Sequence, residues 1–543
     1  MNIKTRLRCS DTVFILCVSL FITLFQNTRF FYQSWHIVDV DSFRSFLFSA
    51  SMVVLLFCCL NMIFSVLLLP YLRKPVAIVL ILTGAAINYF MYSFNTVIDA
   101  NMTENALETN LNETLNLVSF KMVLWFTLLG IIPSIIVALT KVKPSSSVVK
   151  FIGFKAINIV ASALVIVLIA LLFFRDYAPF FRNNKDTVKM LVPSNVVGSL
   201  IKNVSNDIEA NRPFEAIGQD AKRGPNLAQR PKKTLVILVL GETARAENFS
   251  LGGYSRDTNP LLSKRSDLTY FDNVSSCGTA TAVSLPCMFS NMTRKDYKAS
   301  AAKHRENVLD ILQRAKVSVL WRDNDGGCKG ACDRVPNENS TKLMLPEFCS
   351  DGDCKDEVLL DKLNDYIQKL DNDGIIVLHQ MGSHGPTYYQ RYADAQRKFD
   401  PTCDTKQIQD CDRVRLVNTY DNSIVYTDYM VDKTISLLEK NSDKFATSLI
   451  YVSDHGESLG ENGMYLHGAP YAIAPSQQTH VPFLLWTSKD YRQYQNLNAD
   501  CLAKEAKQGN FSHDNLFHSL LGIFDIQTGE YKPELDMFRT CRQ

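Results

Sequence analysis

Five stretches of this chain, near residues 12–27, 46–69, 76–97, 118–140 and 152–174, are each long and apolar enough to cross roughly 30 Å of hydrocarbon as a helix. The first follows a basic start (Lys4, Arg6, Arg8), as a signal peptide would, but no small-residue cleavage site comes after it and four further spans do. It reads as a retained anchor. Arg73-Lys74 lies between the second and third spans, and Lys141, Lys143 and Lys150 between the fourth and fifth, which assigns those loops and the N-terminus to the cytoplasm. The loop between the third and fourth spans holds Asp99, Glu104, Glu108 and Glu113 with no lysine or arginine, and is expected to face outward. Everything after residue 175 then lies outside.

Cysteine usage checks that topology independently. Of 14 cysteines, Cys9, Cys17, Cys58 and Cys59 lie in or beside the first two spans and read as small apolar residues. The other ten fall in the C-terminal part: Cys277/Cys287, Cys328/Cys332, Cys349/Cys354 and Cys403/Cys411 as near neighbours, with Cys501 and Cys541 remaining. Connectivity stays open at this stage, and pairing of neighbours is the simplest assignment. Five disulfides require an oxidising compartment, which agrees with an exterior domain. The spacings Cys328 to Cys332 and Cys349 to Cys354 also resemble those of zinc ligands, a reading that the oxidising compartment disfavours.

With 57 basic and 55 acidic residues the net charge is +2, so there is no polycationic footprint and no nucleic-acid partner is expected. Apolar patterning and proline content divide the chain into a transmembrane domain of five helices (1–174), a bridging linker (175–231) and a water-soluble domain (232–543). The linker carries Pro193, Pro213, Pro225 and Pro231, and Tyr177, Phe180 and Phe181 near its start suit an aromatic interfacial belt. Beyond 232, short β-branched runs alternate with helical stretches: 234–240, 317–321, 375–378, 448–452 and 481–486. Such continuous runs indicate strands buried on both faces of a largely parallel α/β sheet. Ligands of these sheets bind beyond the strands' carboxyl ends. Here those ends read Gly241-Glu242-Thr243, Arg322-Asp323-Asn324-Asp325, Met381-Gly-Ser-His384 and Ser453-Asp454-His455-Gly456.

A hydroxyl-bearing loop, Cys277-Gly-Thr-Ala-Thr-Ala-Val-Ser-Leu-Pro-Cys287, accompanies these carboxylates and imidazoles. Together with Met-Gly-Ser-His-Gly-Pro at 381–386, Ser-Asp-His-Gly-Glu at 453–457 and His467, the motifs resemble those of lipid A phosphoethanolamine transferases, the polymyxin-resistance type. The resemblance covers nearly the whole chain and implies an alkaline phosphatase/sulfatase-like α/β/α sandwich after the membrane helices. It implies a zinc site of Glu242, Thr281, Asp454 and His455 with Thr281 as nucleophile, since zinc binds carboxylate and imidazole and lowers the pKa of a bound hydroxyl. Thr279, two residues away, is the competing hydroxyl. The family pattern also implies substrate-side roles for His384 and His467, at the phosphoryl group or at a second zinc during turnover. It implies head-group contacts for Asp325 and Lys329. Asn105, Thr109 and Glu113, spaced four apart on one helical face of the outward loop, match positions of the family's substrate site.

The implied reaction moves phosphoethanolamine from phosphatidylethanolamine to lipid A phosphates through a phosphoryl-threonine, lowering surface charge and giving resistance to polymyxin and cationic peptides. The implied setting is the bacterial inner membrane, multi-pass, with the catalytic domain in the periplasm and the chain acting as a monomer in the bilayer. A phosphoglycerol transferase or a phosphodiesterase acting on another glycan is the nearest alternative, but phosphoglycerol offers no ammonium to Asp325. A sulfatase would need a Cys or Ser nucleophile motif that is not present at Thr281. A non-enzymatic membrane receptor or transporter is the different class; Lys121 is the one span charge identified, and ion pathways need more. His379 and His480 read as structural, and His36, His304, His513 and His518 give no signal.

Overall fold

The computed structural model describes residues 8–38, 40–98, 102–103, 117–144, 146–193, 213–228, 230–350 and 353–542. It divides into two compact units, 1–100 with 118–201 and 101–117 with 202–543.

The first unit is helical: α1 (Asp11–Gln26), α2 (Thr28–Val38), α3 (Phe43–Leu67), α4 (Arg73–Phe94), α5 (Phe120–Leu139) and α6 (Val148–Asn183). Among the described residues, four are long and apolar enough to cross a membrane, and the α1–α2 pair, bent by 60°, makes up to five. The first expected span is therefore a broken helix. Asn27 sits at the break, its amide donating to the carbonyls of Ile22 and Val192 at 3.0 Å each and accepting the Val192 N–H at 2.9 Å, so the interrupted ladder is satisfied by a side chain. Ser42 and Ser45 form a capping box at the start of α3. Leu164, Leu168 and Leu171 on α6 and Ile135 and Leu139 on α5 are left exposed, as helices solvated by hydrocarbon require. Two expectations are corrected here. Tyr177 and Phe180 pack inward on Phe48, with ring centroids at 4.8 and 6.3 Å, and only Phe181 is partly exposed, because helical backbone resumes after a kink at Phe173 and carries α6 past the apolar run. Lys155 is a further charge within a span, its ammonium donating to the Ser65 and Leu68 carbonyls at the end of α3 at 2.8 and 3.0 Å.

The second unit is built on a seven-stranded sheet. Its strands are β1 (Lys233–Gly241), β2 (Leu268–Phe271), β3 (Ser318–Asp323), β4 (Asn337–Asn339), β5 (Gly374–His379), β6 (Phe445–Ser453) and β7 (Phe483–Thr487), in the order β2–β7–β6–β1–β5–β3–β4. β6, β1, β5, β3 and β4 are mutually parallel, and β7 pairs antiparallel with both β6 and β2. Residues 235–240 are essentially inaccessible, as a strand covered on both faces requires. The register aligns Ser453 with Gly241, Leu240 with His379, and His379 with Asp323, which brings four strand ends to one edge. Three helices matter for that edge: α7 (Thr281–Met288), α8 (Arg413–Lys440) and α9 (Asp514–Ile523). Disulfides join Cys277–Cys287, Cys328–Cys332, Cys349–Cys354, Cys403–Cys411 and Cys501–Cys541, while Cys9, Cys17, Cys58 and Cys59 are free.

Candidate active site

Glu242 leaves the end of β1, and Asp454 and His455 leave the end of β6 beside it; all three are fully buried. Their donor atoms lie within 4.8 Å of one another. His455 Nε2 is 3.3 Å from Glu242 Oε1 and 3.3 Å from Asp454 Oδ2. His455 Nδ1 faces the Gly456 carbonyl at 2.9 Å, which makes Nδ1 the protonated nitrogen and turns the Nε2 lone pair into the cluster. Asp454 Oδ1 accepts N–H groups from His455 and Thr243, while buried Asp454 Oδ2 has no hydrogen-bond partner among the described residues. Two buried carboxylates and an aimed imidazole are costly without a cation. The donor set fits zinc, which takes carboxylate oxygen and imidazole nitrogen. Burial, then Asp454 and Asp325, push the Glu242 carboxyl well above the ordinary range. Another donor cluster, at Cys328, Cys332 and Asp333, is no thiolate site because the two sulfurs are bonded to each other.

Thr281 opens α7 and places Oγ1 3.2 and 3.3 Å from the two Glu242 oxygens and 3.3 Å from His455 Nε2. Thr279 does not share that position: its hydroxyl donates to the Ala469 carbonyl at 2.6 Å, and its own carbonyl accepts the Gly468 N–H. The Cys277–Cys287 bridge spans the segment, and the Ser284 hydroxyl ties α7 to the Asp454 carbonyl.

The turn after β1 is strained. Thr243, β-branched, has φ 53°, and the Tyr420 hydroxyl of α8 holds it by donating to the Thr243 carbonyl at 2.7 Å. Gly382 (φ 53°) packs directly on this turn. A Cβ there would stand 2.6 Å from the Glu242 carbonyl oxygen and 2.9 Å from its nitrogen.

The remaining predicted residues divide. His467 lies 4.5 Å from His455 and 5.4 Å from His384, ring centre to ring centre, so three imidazoles share one wall. Burial first, then His467, hold His384 well below the usual imidazole range. His467 Nδ1 is 3.3 Å from the buried Glu457 carboxylate. Lys329 lines a cavity of about 490 Å³ together with Pro286 and Ser290. Asp325 is buried beside His379 and Glu242. Asn105, Thr109 and Glu113 lie outside the described residues.

Three residues escaped the sequence reading. His379, read as structural, ends β5 against this acidic cluster; burial opposes its charge, but Asp323, Asp325 and Glu242 outweigh it and push the imidazole up to about 9. Its position directly before the Gln-Met-Gly-Ser-His motif at a strand end was the available signal. Asp356 accepts the N–H groups of Met381 and Gly382 at 2.7 and 3.1 Å and the Asn324 amide at 2.8 Å, pinning two strand-end loops together. His513 accepts the Cys277 N–H from far along the chain. No local pattern marks either of the last two.

Known proteins resemble this chain in sequence and fold. Residues 234–526 match the sulfatase family, and residues 56–208 match the family described as phosphoethanolamine transferase EptA/EptB. Phosphoethanolamine transferase EptA of Escherichia coli K12 is 49% identical over 97% of this chain and 96% of its own length. Phosphatidylethanolamine transferase Mcr-1 of E. coli is 36% identical over 98% of each. The solved integral membrane lipooligosaccharide phosphoethanolamine transferase A of Neisseria meningitidis superposes with a TM-score of 0.96 at 42% identity, over 99% of this chain and 100% of that one. At that identity and coverage, the chain belongs to the lipid A phosphoethanolamine transferase family of the alkaline phosphatase/sulfatase superfamily.

Proposed function

We propose that this protein transfers phosphoethanolamine from phosphatidylethanolamine to lipid A phosphates, acting as a single inner-membrane chain with its catalytic domain in the periplasm. The added ammonium offsets negative surface charge and gives resistance to polymyxin and cationic peptides. The observation that carries the reading is the Thr281 hydroxyl, 3.2 Å from Glu242 and 3.3 Å from His455 in a chain of this family.

Glu242, Asp454 and His455 would hold zinc with Thr281 beside it. The metal supplies a lowered hydroxyl pKa and positive charge against the phosphoryl oxygens. The residues do the rest. The disulfide-closed loop and the Ser284 tie hold Thr281 in position to attack phosphorus. A bond forms between Oγ1 and phosphorus as the bond from phosphorus to the diacylglycerol oxygen breaks, and the hydroxyl proton ends on that departing oxygen. A lipid A phosphate oxygen then attacks the same phosphorus, the bond to Oγ1 breaks, and Thr281 recovers a proton from the acceptor or from water. His384, kept neutral by burial, and His467, backed by Glu457, are suited to contact the phosphoryl group. Lys329 supplies a cation at the edge of the adjoining cavity. Asn105, Thr109 and Glu113 would complete the head-group site.

Mass spectrometry of lipid A from cells with and without the protein tests this. One phosphoethanolamine added per modified phosphate is expected. Unchanged lipid A in cells that hold the folded, zinc-loaded chain would reject the reading.

A further inference from the structure

Beside Glu242 stands a second set of donors: Asp325 after β3 and His379 at the end of β5. One donor atom from each, with one from Glu242, lies within 4.8 Å of the others, and all three residues are buried. His379 is oriented as metal-bound histidines are. Its Nδ1 is 2.8 Å from Asp323 Oδ2, and Asp323 also accepts the Trp321 indole N–H at 3.2 Å and the Gly327 N–H at 3.0 Å. An acceptor so loaded is a carboxylate, so Nδ1 carries a proton and Nε2 is turned toward Asp325.

What stands at Nε2 decides the matter. A lone pair facing two carboxylates is repelled unless a cation lies between them, and that cation is a proton or a metal ion. A proton would draw Nε2 and a carboxylate oxygen to within about 2.7–2.9 Å. The distance from Nε2 to Asp325 Oδ2 is 3.8 Å, and both His379 Nε2 and Asp325 Oδ1 lack any hydrogen-bond partner among the described residues. A zinc ion at about 2.0–2.2 Å from each ligand sets neighbouring donors about 3.4 Å apart, and three donors within 4.8 Å of one another, two of them 3.8 Å apart, need only a small contraction to reach that spacing.

We infer that Glu242, Asp325 and His379 form a second divalent-cation site, with the Glu242 carboxylate bridging it to the ion held by Asp454 and His455. This deepens the proposed function by assigning a metal count and a place for the second ion. It assigns Asp325 to a metal ion instead of to the substrate ammonium. It is also distinct from a second zinc at His384 and His467. The inference rests on the proposed function only for the first ion, and metal counting leaves the transfer reaction itself untouched.

The test is zinc binding by the full chain in detergent, followed by equilibrium dialysis against graded free zinc and metal analysis. Two ions per chain are expected. Asp325→Asn and His379→Gln should each fall to one while keeping their melting behaviour, and the paired change His384→Ala with His467→Ala should keep two. Zinc-edge anomalous scattering from the unaltered chain needs no variant and should show a second peak among Glu242, Asp325 and His379. One ion at saturating zinc, with His379 doubly protonated, would overturn the inference. So would a second ion that survives both single variants and vanishes with the histidine pair. Lipid A that is modified normally by a one-zinc chain would reject this site while leaving the transfer reading intact.

Discussion

The backbone N–H of Cys277 donates to His513 Nδ1 at 3.1 Å across 236 residues of chain. The other ring nitrogen faces the Ser453 carbonyl at 3.0 Å, so the neutral ring bridges the nucleophile loop and the residue before Asp454. His513 touches no reacting atom in this arrangement; it is a positioning residue. His513→Ala is expected to lower kcat by ten- to a hundredfold with little change in KM or zinc content, because misplacement by about 1 Å costs that much. His513→Asn retains a donor and an acceptor and should recover part of the loss. A variant that loses its zinc would place His513 in the metal site instead.

The same ring carries a pH dependence. Burial holds His513 down to about 4, against 6.5 when unfolded. Between those values the unfolded chain binds the extra proton, so stability is lost as pH falls from 6.5 toward 4. The loss is on the order of 3 kcal/mol for a shift of this size. Thermal melts of the native protein should fall over that window, and His513→Asn should flatten the fall. Parallel slopes for the two proteins would count against a neutral buried ring.

Gly382→Ala adds one methyl group, yet it should cost most of the activity. The new Cβ would meet the Glu242 backbone at 2.6 and 2.9 Å, and the position has φ 53°. Tyr420 already pins the Glu242 turn at the Thr243 carbonyl, and Asp356 pins Gly382 through its N–H, so neither side has much room to yield. Weaker zinc binding and a lower melting temperature are expected together. Wild-type zinc affinity in this variant would mean that the turn shifts freely.

Several parts of this architecture can be read from the chain because their signals are local. Apolar runs before 174 mark helices, and β-branched runs such as 234–240 mark buried strands whose ends carry Glu242, Asp325, His384 and Asp454. The structure sets those ends side by side through strand register, which follows once the sheet is parallel. His513, Asp356 and Tyr420 were not legible, since each acts through a hydrogen bond to backbone far away in sequence. The α1–α2 break was hidden for a related reason: Asn27 repairs it with a carbonyl from Val192, 165 residues on. His379 reads as structural in the sequence because an apolar strand makes a terminal histidine look like packing.

The last prediction separates two hydroxyls that differ by two positions. Thr281 Oγ1 faces Glu242 and His455, whereas Thr279 Oγ1 is engaged with the Ala469 carbonyl at 2.6 Å. Thr281→Ala should abolish transfer while keeping the fold and most zinc affinity, because Glu242, Asp454 and His455 remain. Thr281→Ser keeps the oxygen and loses a methyl group, so some activity should survive. Thr279→Ala removes one buried hydrogen bond, a stability cost of about 1 kcal/mol, and should transfer at a rate within a few-fold of native. Incubated with phosphatidylethanolamine and no acceptor, the native chain should gain one phosphoethanolamine on the 277–287 peptide, and Thr281→Ala should gain none. An adduct on Thr279, or full activity in Thr281→Ala, would give the nucleophile's role to the other threonine. The hydrogen bond from Thr279 to Ala469 would then have to break during turnover.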